Sequence, residues 1–290
     1  MVAVIDNPIS GRGSGKALSA GVLSELNRRN MQTRLFMTEE EGDGTRQTRM
    51  ALEAGAELIV CIGGDGTLSE VVSELAGKDI PLIIVPAGTG NDFARAYGLP
   101  KEPMEALRRQ LDGKRTHIDL GAVNGRPFLN VSGSGFDVDV LRKAKEFRSI
   151  YPGEQAYRKA VGAVLGHYRP FEAELSVDGG AWEHVYATIV EIANGRYIGG
   201  GMHVAPGARY DDGLLDVIVV GRVWGWSIPL LLPLFIMGIH VHLPIAHVRR
   251  AKRAAMRRKD MVVNIDGRLE ALDEARFDIL PKALCVMKPV

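Results

Sequence analysis

Cysteine is scarce: the 290 residues contain only Cys61 and Cys285, each inside an apolar run of strand length. Two isolated thiols supply neither a disulfide framework nor the ligand spacing of a metal site, and they read as small buried hydrophobes. Net charge is nearly absent too, +1 from 36 basic and 35 acidic side chains. A chain so balanced has no overall electrostatic hold on nucleic acid. It also lacks internal repeats and low-complexity tracts. Strand character begins at Val2 without the basic and apolar regions of a signal peptide, so the cytoplasm is the expected compartment. What remains is an ordinary globular composition, 46% hydrophobic and 24% charged, with length enough for two lobes.

One stretch lacks charge altogether. Val223 to Val248 contains no Asp, Glu, Lys or Arg, and that length could span a bilayer. Pro229, Pro233, Gly238 and Pro244 interrupt it, and His240 and His242 would lie in hydrocarbon. Arg249, Arg250, Lys252, Arg253, Arg257, Arg258 and Lys259 follow closely. The pattern predicts a short apolar helix over Ser227–Met237, then an extended basic-flanked stretch, and no transmembrane span. Two placements are open. One is a core helix of the second lobe; the other is an interfacial surface whose arginines meet anionic headgroups, a peripheral membrane association.

The first part of the chain alternates strand-length apolar runs (Val2–Ile5, Thr33–Met37, Leu58–Ile62, Leu82–Val85) with helix-period segments (Lys16–Arg29, Thr45–Ala54, Leu68–Leu75). That alternation means βαβ units and a mostly parallel sheet. After His117 the texture changes. Asn124-Gly125 reads as a type I′ hairpin turn between Ile118–Val123 and Pro127–Val131, and Asp178-Gly179-Gly180 separates Phe171–Val177 from Trp182–Ile192. Further strands are predicted at Leu214–Val220 and Met261–Ile265, with helices over Val138–Phe147 and Ala156–Tyr168. The expected fold class is α/β in two lobes with a cleft between them. Residues 1–118, rejoined by 281–290, form a parallel-sheet nucleotide-binding lobe, and residues 119–280 an antiparallel, sandwich-like β-rich lobe.

Three loops follow predicted strands. The first, Asp6-Asn7-Pro8-Ile9-Ser10-Gly11-Arg12-Gly13-Ser14-Gly15-Lys16, fits neither a Walker A loop nor a dinucleotide fingerprint. As a glycine- and serine-rich turn entering a helix, it is evenly a plain connection or an anion site. The second, Gly63-Gly64-Asp65-Gly66-Thr67, is more specific. Thr67-x-x-Glu70 has capping-box spacing, which leaves three glycines and a lodged aspartate unexplained. Glycine lets backbone amides close on a polyphosphate, and a carboxylate among them makes sense chiefly as a Mg²⁺ ligand or a contact to a substrate hydroxyl. The third, Pro86-Ala87-Gly88-Thr89-Gly90-Asn91-Asp92, repeats the logic one strand along; Asn91 or Asp92 could also cap the next helix. Two such loops put a nucleotide at one sheet edge.

Together these motifs resemble the diacylglycerol kinase catalytic-domain family. The likeness runs through Asn7-Pro8-x-Ser10-Gly11, Gly63–Thr67 and Gly88-Thr89-x-Asn91-Asp92-Phe93-Ala94-Arg95. It continues in Gly133-x-Gly135-Phe136-Asp137, Gly199-Gly200-Gly201-x-x-x-Ala205-Pro206, Asp211-Asp212-Gly213-x-Leu215-Asp216, Asp266-Gly267 and Leu280-Pro281, covering essentially the whole chain. The pattern is most similar to the bacterial soluble lipid kinases. The resemblance implies an ATP-dependent, Mg²⁺-dependent lipid kinase. It places ATP on Asn7, Pro8, Ile9, Ser10, Gly11, Arg12, Thr38, Gly64, Asp65, Gly66, Thr67, Leu68, Ser69, Glu70 and Thr89. Asp65, Asp92 and Asp119 would form the acidic network around the catalytic Mg²⁺. Thr38 ends the second strand, where it could equally be a helix cap. A structural Mg²⁺ is implied at the Asp212 carboxylate and the carbonyls of Arg209 and Leu214; an Asp-Asp-Gly turn held by Asx bonds is the alternative.

One departure bears on activity. The family reads Asp-Gly-Glu near its C-terminus and that glutamate is assigned as general base, whereas this chain reads Asp266-Gly267-Arg268. Arginine does not accept a proton, so Asp266 is the candidate replacement, or Glu270. A nucleotide- or lipid-binding pseudokinase is therefore a second reading, and an NAD kinase, which shares the middle loop, a third. The lipid (diacylglycerol, phosphatidylglycerol, a sphingoid base or an isoprenoid alcohol) and a homodimer through the β-rich lobe stay open.

Overall fold

The computed structural model describes residues 1–10, 15–147, 149–151 and 154–290. Its contacts divide the chain into two units, Met1–Leu120 with Pro281–Val290, and Gly121–Leu280.

The first unit runs β1 (Val2–Asp6), α1 (Gly15–Arg28), β2 (Thr33–Met37), α2 (Asp43–Glu53), β3 (Leu58–Gly63), α3 (Asp65–Leu75), β4 (Lys78–Pro86), α4 (Asp92–Tyr97), α5 (Pro103–Leu111) and most of β5 (Lys114–Val123). Strands β2, β1, β3 and β4 lie side by side, all parallel. Strands β1, β3 and most of β4 are buried, which is why they are continuous apolar runs, while the edge strand β2 is mostly exposed. Val2, Val4, Val60, Ile62, Ile83 and Val85 share one core with Val22 and Leu26 of α1 and Leu107 of α5. The sequence pattern did not suggest α5, although its start is well signalled. Pro103 occupies the first turn, and the Glu102 carboxylate accepts from the Met104 and Glu105 amides.

The second unit contains β6 (Arg126–Phe128), β7 (Val131–Gly135), α6 (Phe136–Phe147), α7 (Glu154–Leu165), β8 (Phe171–Val177), β9 (Glu183–Ala193), β10 (Leu215–Gly221), α8 (Ile228–Ile236), β11 (Ala246–Ala251), β12 (Arg253–Ile265) and the first part of β13 (Arg268–Lys288). Its strands pair antiparallel. The end of β13 returns to the first unit, pairing parallel with β4. Three hairpin turns carry an Asn/Asp-Gly pair with both residues left-handed: Asn124-Gly125 (φ 47° and 79°), Asp178-Gly179 (50° and 75°) and Asp266-Gly267 (47° and 93°). Side-chain alternation builds two cores. Val190, Ile192, Val217 and Val219 face the other strands, whereas Ile189, Ala193, Ile218 and Val220 face α6, α7 and α8. The basic run that sequence reading left as an extended flank is β11 and the start of β12. There Arg249 pairs with Glu183, Arg250 with Asp212 and Asp216, and Arg257 with Glu174. Those three arginines are matched within their own unit.

Glu191 sits fully buried on the helix-facing side of β9, against Asp137 of α6, whose Oδ2 accepts from Asn264 at 2.9 Å. Burial, and then the Asp137 carboxylate, push the Glu191 carboxyl well above its ordinary 4.5. The folded chain therefore keeps a proton that the unfolded chain releases above 4.5, and Glu191 lowers stability as pH rises through that window. Glu191→Gln is expected to raise the melting midpoint at neutral pH by about 2–4 °C, what roughly 1 kcal/mol yields at this size. The gain should shrink toward pH 4.5; midpoints measured across pH check it.

Candidate active site

Because β1, β3 and β4 are parallel neighbours, the loops leaving their C-terminal ends emerge along one edge. Side chains and close backbone approach then tie them together. Asn7 donates its backbone amide to the Ile62 carbonyl at 3.0 Å and its side-chain Nδ2 to the Thr67 hydroxyl at 2.8 Å, joining the first loop to the second. Asp65 Oδ1 accepts from the Asp92 and Phe93 amides at 2.7 and 3.3 Å, joining the second to the third. Gly64 and Gly88 pass so closely that a Cβ on Gly88 would lie 2.5 Å from the Gly64 Cα. Asn91, left-handed at φ 52°, closes the third loop on itself, accepting from the Gly88 amide and donating to the Gly88 carbonyl. Helices α3 and α4 both begin in this cluster, so their N-terminal amides and partial positive charge lie there. A Cβ at Gly66 would meet nothing within 4 Å, which leaves that backbone open to a ligand. The Asp65 and Asp92 carboxylates are hard oxygen donors of the kind Mg²⁺ takes.

Several candidates have other engagements. Thr67-x-x-Glu70 forms no capping box: Thr67 takes the Asn7 amide, while the Glu70 carboxylate accepts from the Gly42 and Gly44 amides at 2.8 and 2.9 Å and steadies the start of α2. Leu68 is buried in the core and its amide bonds to the Gly64 carbonyl. Within the expected ATP-contacting tract Gly64–Glu70, Leu68 is thus buried and Thr67 and Glu70 are hydrogen-bonded within the unit. Thr38 is buried with its amide on the Asp6 carbonyl, and it does not cap α2, whose cap residue is Gly42. Thr89 and Ile9 are exposed, Pro8 and Ser10 half-buried. Gly11 and Arg12 lie outside the described residues. Asp119 is buried and accepts from the Lys282 amide at 2.7 Å. Sequence reading missed Asp6, whose buried carboxylate accepts from Ser19 and is raised mainly by burial; the signal was an acid closing an apolar strand. Also unseen in the spacing were Asp79, His117 and Cys285, whose ligand atoms lie within 4.8 Å of one another. Burial pushes the Cys285 thiol up, away from the thiolate a metal would require.

In the second unit, Asp266, the candidate replacement base, anchors the chain at Leu129–Val131. Its carboxylate accepts from the Leu129, Asn130 and Val131 amides at 2.6, 2.9 and 3.1 Å. Glu270 is taken by Arg126, and Arg268 is exposed. The Asp212 turn shows the Asx alternative: Leu214 donates its amide to Asp212 Oδ1 at 3.1 Å, and the Arg250 guanidinium takes the other oxygen. That guanidinium supplies the positive charge expected from a structural Mg²⁺ on Arg209, Asp212 and Leu214. A cation at this turn would have to displace the Arg250 guanidinium from Asp212. Elsewhere in the unit, an apolar cavity of about 70 Å³ is enclosed by α6, α7, β9, β10 and α8, lined by Phe136, Tyr157, Ile189, Val220, Leu231 and Phe235 among others.

The glycines separate two demands. Gly88→Ala forces backbone against backbone, and it is expected to cost about 1–3 kcal/mol and to abolish nucleotide-induced thermal stabilisation. Gly66→Ala meets no atom, so its melting midpoint should stay near wild type while ATP-induced stabilisation drops. Differential scanning fluorimetry with and without ATP reads both.

Residues 1–123 match the diacylglycerol kinase catalytic domain family, and residues 130–288 the YegS C-terminal NAD kinase beta sandwich-like domain. A diacylglycerol kinase of Mycobacterium tuberculosis is 33% identical over 296 residues, covering 99% of this chain and 95% of its own. A "Probable lipid kinase YegS-like" of Pseudomonas aeruginosa is 37% identical over 255 residues, covering 87% and 83%. Among solved structures, a diacylglycerol kinase from Bacillus anthracis superposes with TM-score 0.75 at 24% identity over 99% of this chain and 96% of that one. An NAD kinase from Archaeoglobus fulgidus in complex with ATP reaches TM-score 0.56 at 13% identity, covering 100% and 94%, a likeness of fold alone. With both units matched in order and a relative aligned along nearly its full length, the chain belongs to the diacylglycerol kinase and YegS-like family of lipid kinases.

Proposed function

We propose that this lipid kinase uses ATP with Mg²⁺ to phosphorylate the free hydroxyl of a diacylglycerol-like lipid, giving a phosphatidic-acid-type monoester and ADP. The observation that carries the reading is the fusion of three loops at one sheet edge through Asn7–Thr67, Asp65–Asp92 and Gly64–Gly88. Amides of the glycine-rich loops and the start of α3 would cradle the phosphates. Asp65 and Asp92 would hold Mg²⁺, which when bound neutralises charge developing on the phosphoryl oxygens. The acceptor oxygen bonds to the γ-phosphorus as the bond to the β–γ bridging oxygen breaks, ADP leaves, and the hydroxyl proton passes to solvent water. The apolar cavity of the second unit suits an acyl chain, although 70 Å³ is narrower than the roughly 150 Å³ that holds a benzene. Acyl entry therefore requires its side chains to part.

The test is transfer of radiolabel from ATP to detergent-dispersed diacylglycerol, with NAD⁺ as a parallel acceptor. Label in lipid alone supports the proposal; label in NADP⁺ alone, or in nothing, overturns it. A pseudokinase is the second reading, favoured by Arg268 together with the engagements of Asp266 and Glu270. ATP-induced stabilisation without turnover would identify it.

A further inference from the structure

Helix α8 is apolar on two sides. Ile228, Leu231, Leu232 and Phe235 turn inward and line the cavity. On the other side Leu230 is 71% exposed and Met237 63%, with Ile236 and Ile239 also open to solvent. The turn leading into the helix exposes Trp224 and Trp226, at 56% and 76%. Contiguous apolar exposure of this kind marks an interaction surface. The apolar stretch identified from sequence is therefore both core helix and surface: its inner face is buried, its outer face bare.

The charges around it indicate what covers it. Two of the segments that line the cavity, Gln155–Pro170 and Gly221–Val248, contain no carboxylate. Their only charged side chains are Arg158, Lys159, Arg169 and Arg222, all exposed. Arg222 lies over the Trp224 ring, 3.8 Å from its centroid, so cation and indole form one amphipathic edge. Tryptophan with arginine around an apolar helix matches the boundary between anionic headgroups and acyl chains. A second copy of this chain would fit poorly, since two-fold pairing sets these cations against themselves. Arg249, Arg250 and Arg257 are paired with carboxylates, so these three are not the cations that would meet headgroups.

We propose that Trp224, Trp226 and the outer face of α8 dock this protein on an anionic phospholipid bilayer, with Arg158, Lys159, Arg169 and Arg222 at the headgroups. The inner face of the same helix then roofs the acyl cavity, so a lipid could pass from the membrane past α8. The proposal rests on the lipid-kinase reading for its purpose; its test needs no turnover.

The test is co-sedimentation of the full-length protein, without nucleotide, with vesicles of phosphatidylcholine containing a minor fraction of phosphatidylglycerol. Wild type should pellet with the vesicles, and its tryptophan emission should shift to the blue. Trp224→Ala with Trp226→Ala should weaken binding about tenfold or more while leaving the melting midpoint unchanged, because both rings are exposed. Arg169→Ala with Arg222→Ala should weaken it by about 25-fold on anionic vesicles, roughly fivefold per cation, and little on pure phosphatidylcholine. Arg249→Ala should not weaken it. The proposal falls if wild type stays in the supernatant with both vesicle types, or if the tryptophan variant binds as wild type does. It falls equally if sedimentation equilibrium shows a dimer that the tryptophan variant converts to monomer. Binding to vesicles by a protein that phosphorylates no lipid would instead count against the kinase proposal alone.

Discussion

Asp65→Asn is expected to reduce lipid phosphorylation about 10²–10³-fold, the usual loss when one preorganised electrostatic element is removed from a site, while the protein melts as wild type does. The substitution separates two functions of one carboxylate. Asp65 Oδ1 accepts from the first amides of α4, at 2.7 Å from Asp92 and 3.3 Å from Phe93. Asparagine keeps an oxygen acceptor at that position, so the α4 start stays satisfied and the second and third loops stay joined. What disappears is the negative charge, and with it the hold on a divalent ion that the proposed function assigns to this carboxylate. Asp65→Ala should lose both, adding about 1 kcal/mol of destabilisation from the missing cap. Turnover and melting midpoint for the two variants form the measurement. An Asp65→Asn enzyme with undiminished turnover would show the carboxylate to be only a helix cap.

That dual role explains how far the sequence could be read. Strands β1, β3 and β4 were legible because the buried strands of a parallel sheet demand unbroken apolar runs, and the Asn-Gly and Asp-Gly hairpins because left-handed turns demand those residues. The three loops were visible as glycine clusters. Their mutual bonds were not. Asn7 reaches Thr67 and Glu70 reaches Gly42 across long stretches of chain, and local spacing offered Thr67 and Glu70 to each other instead. Charge is a second limit. In the run from Arg249 to Lys259, Arg249, Arg250 and Arg257 face acids on other strands or turns, while Lys252, Arg253, Arg258 and Lys259 are exposed. Only tertiary pairing distinguishes a spent cation from an available one. Asp266 shows the same limit: as one acid in a hairpin turn it looked eligible for proton transfer until three amides were found on it.

Arg268→Glu is accordingly expected to increase turnover on diacylglycerol by about 10²-fold, the lower end of what a positioned general base contributes. Wild type should be a slow kinase rather than an inert one, because phosphoryl transfer depends mostly on positioning and electrostatics. The neighbouring acids are otherwise engaged. Freeing Asp266 would strip acceptors from the Leu129, Asn130 and Val131 amides, and freeing Glu270 would break its pair with Arg126. Arg268 follows the Asp266-Gly267 turn and is exposed, so a carboxylate there costs no packing. A base acts only when deprotonated, so the gain from Arg268→Glu should grow as pH rises through the carboxyl range and then level. Arg268→Gln separates the causes. If glutamine raises turnover as much as glutamate, the arginine charge was the obstacle, and no base operates at this position. If glutamate alone raises it, with the acid limb in its pH profile, the turn is correctly placed for proton transfer, and this chain retains a catalytic frame from which one group has been removed.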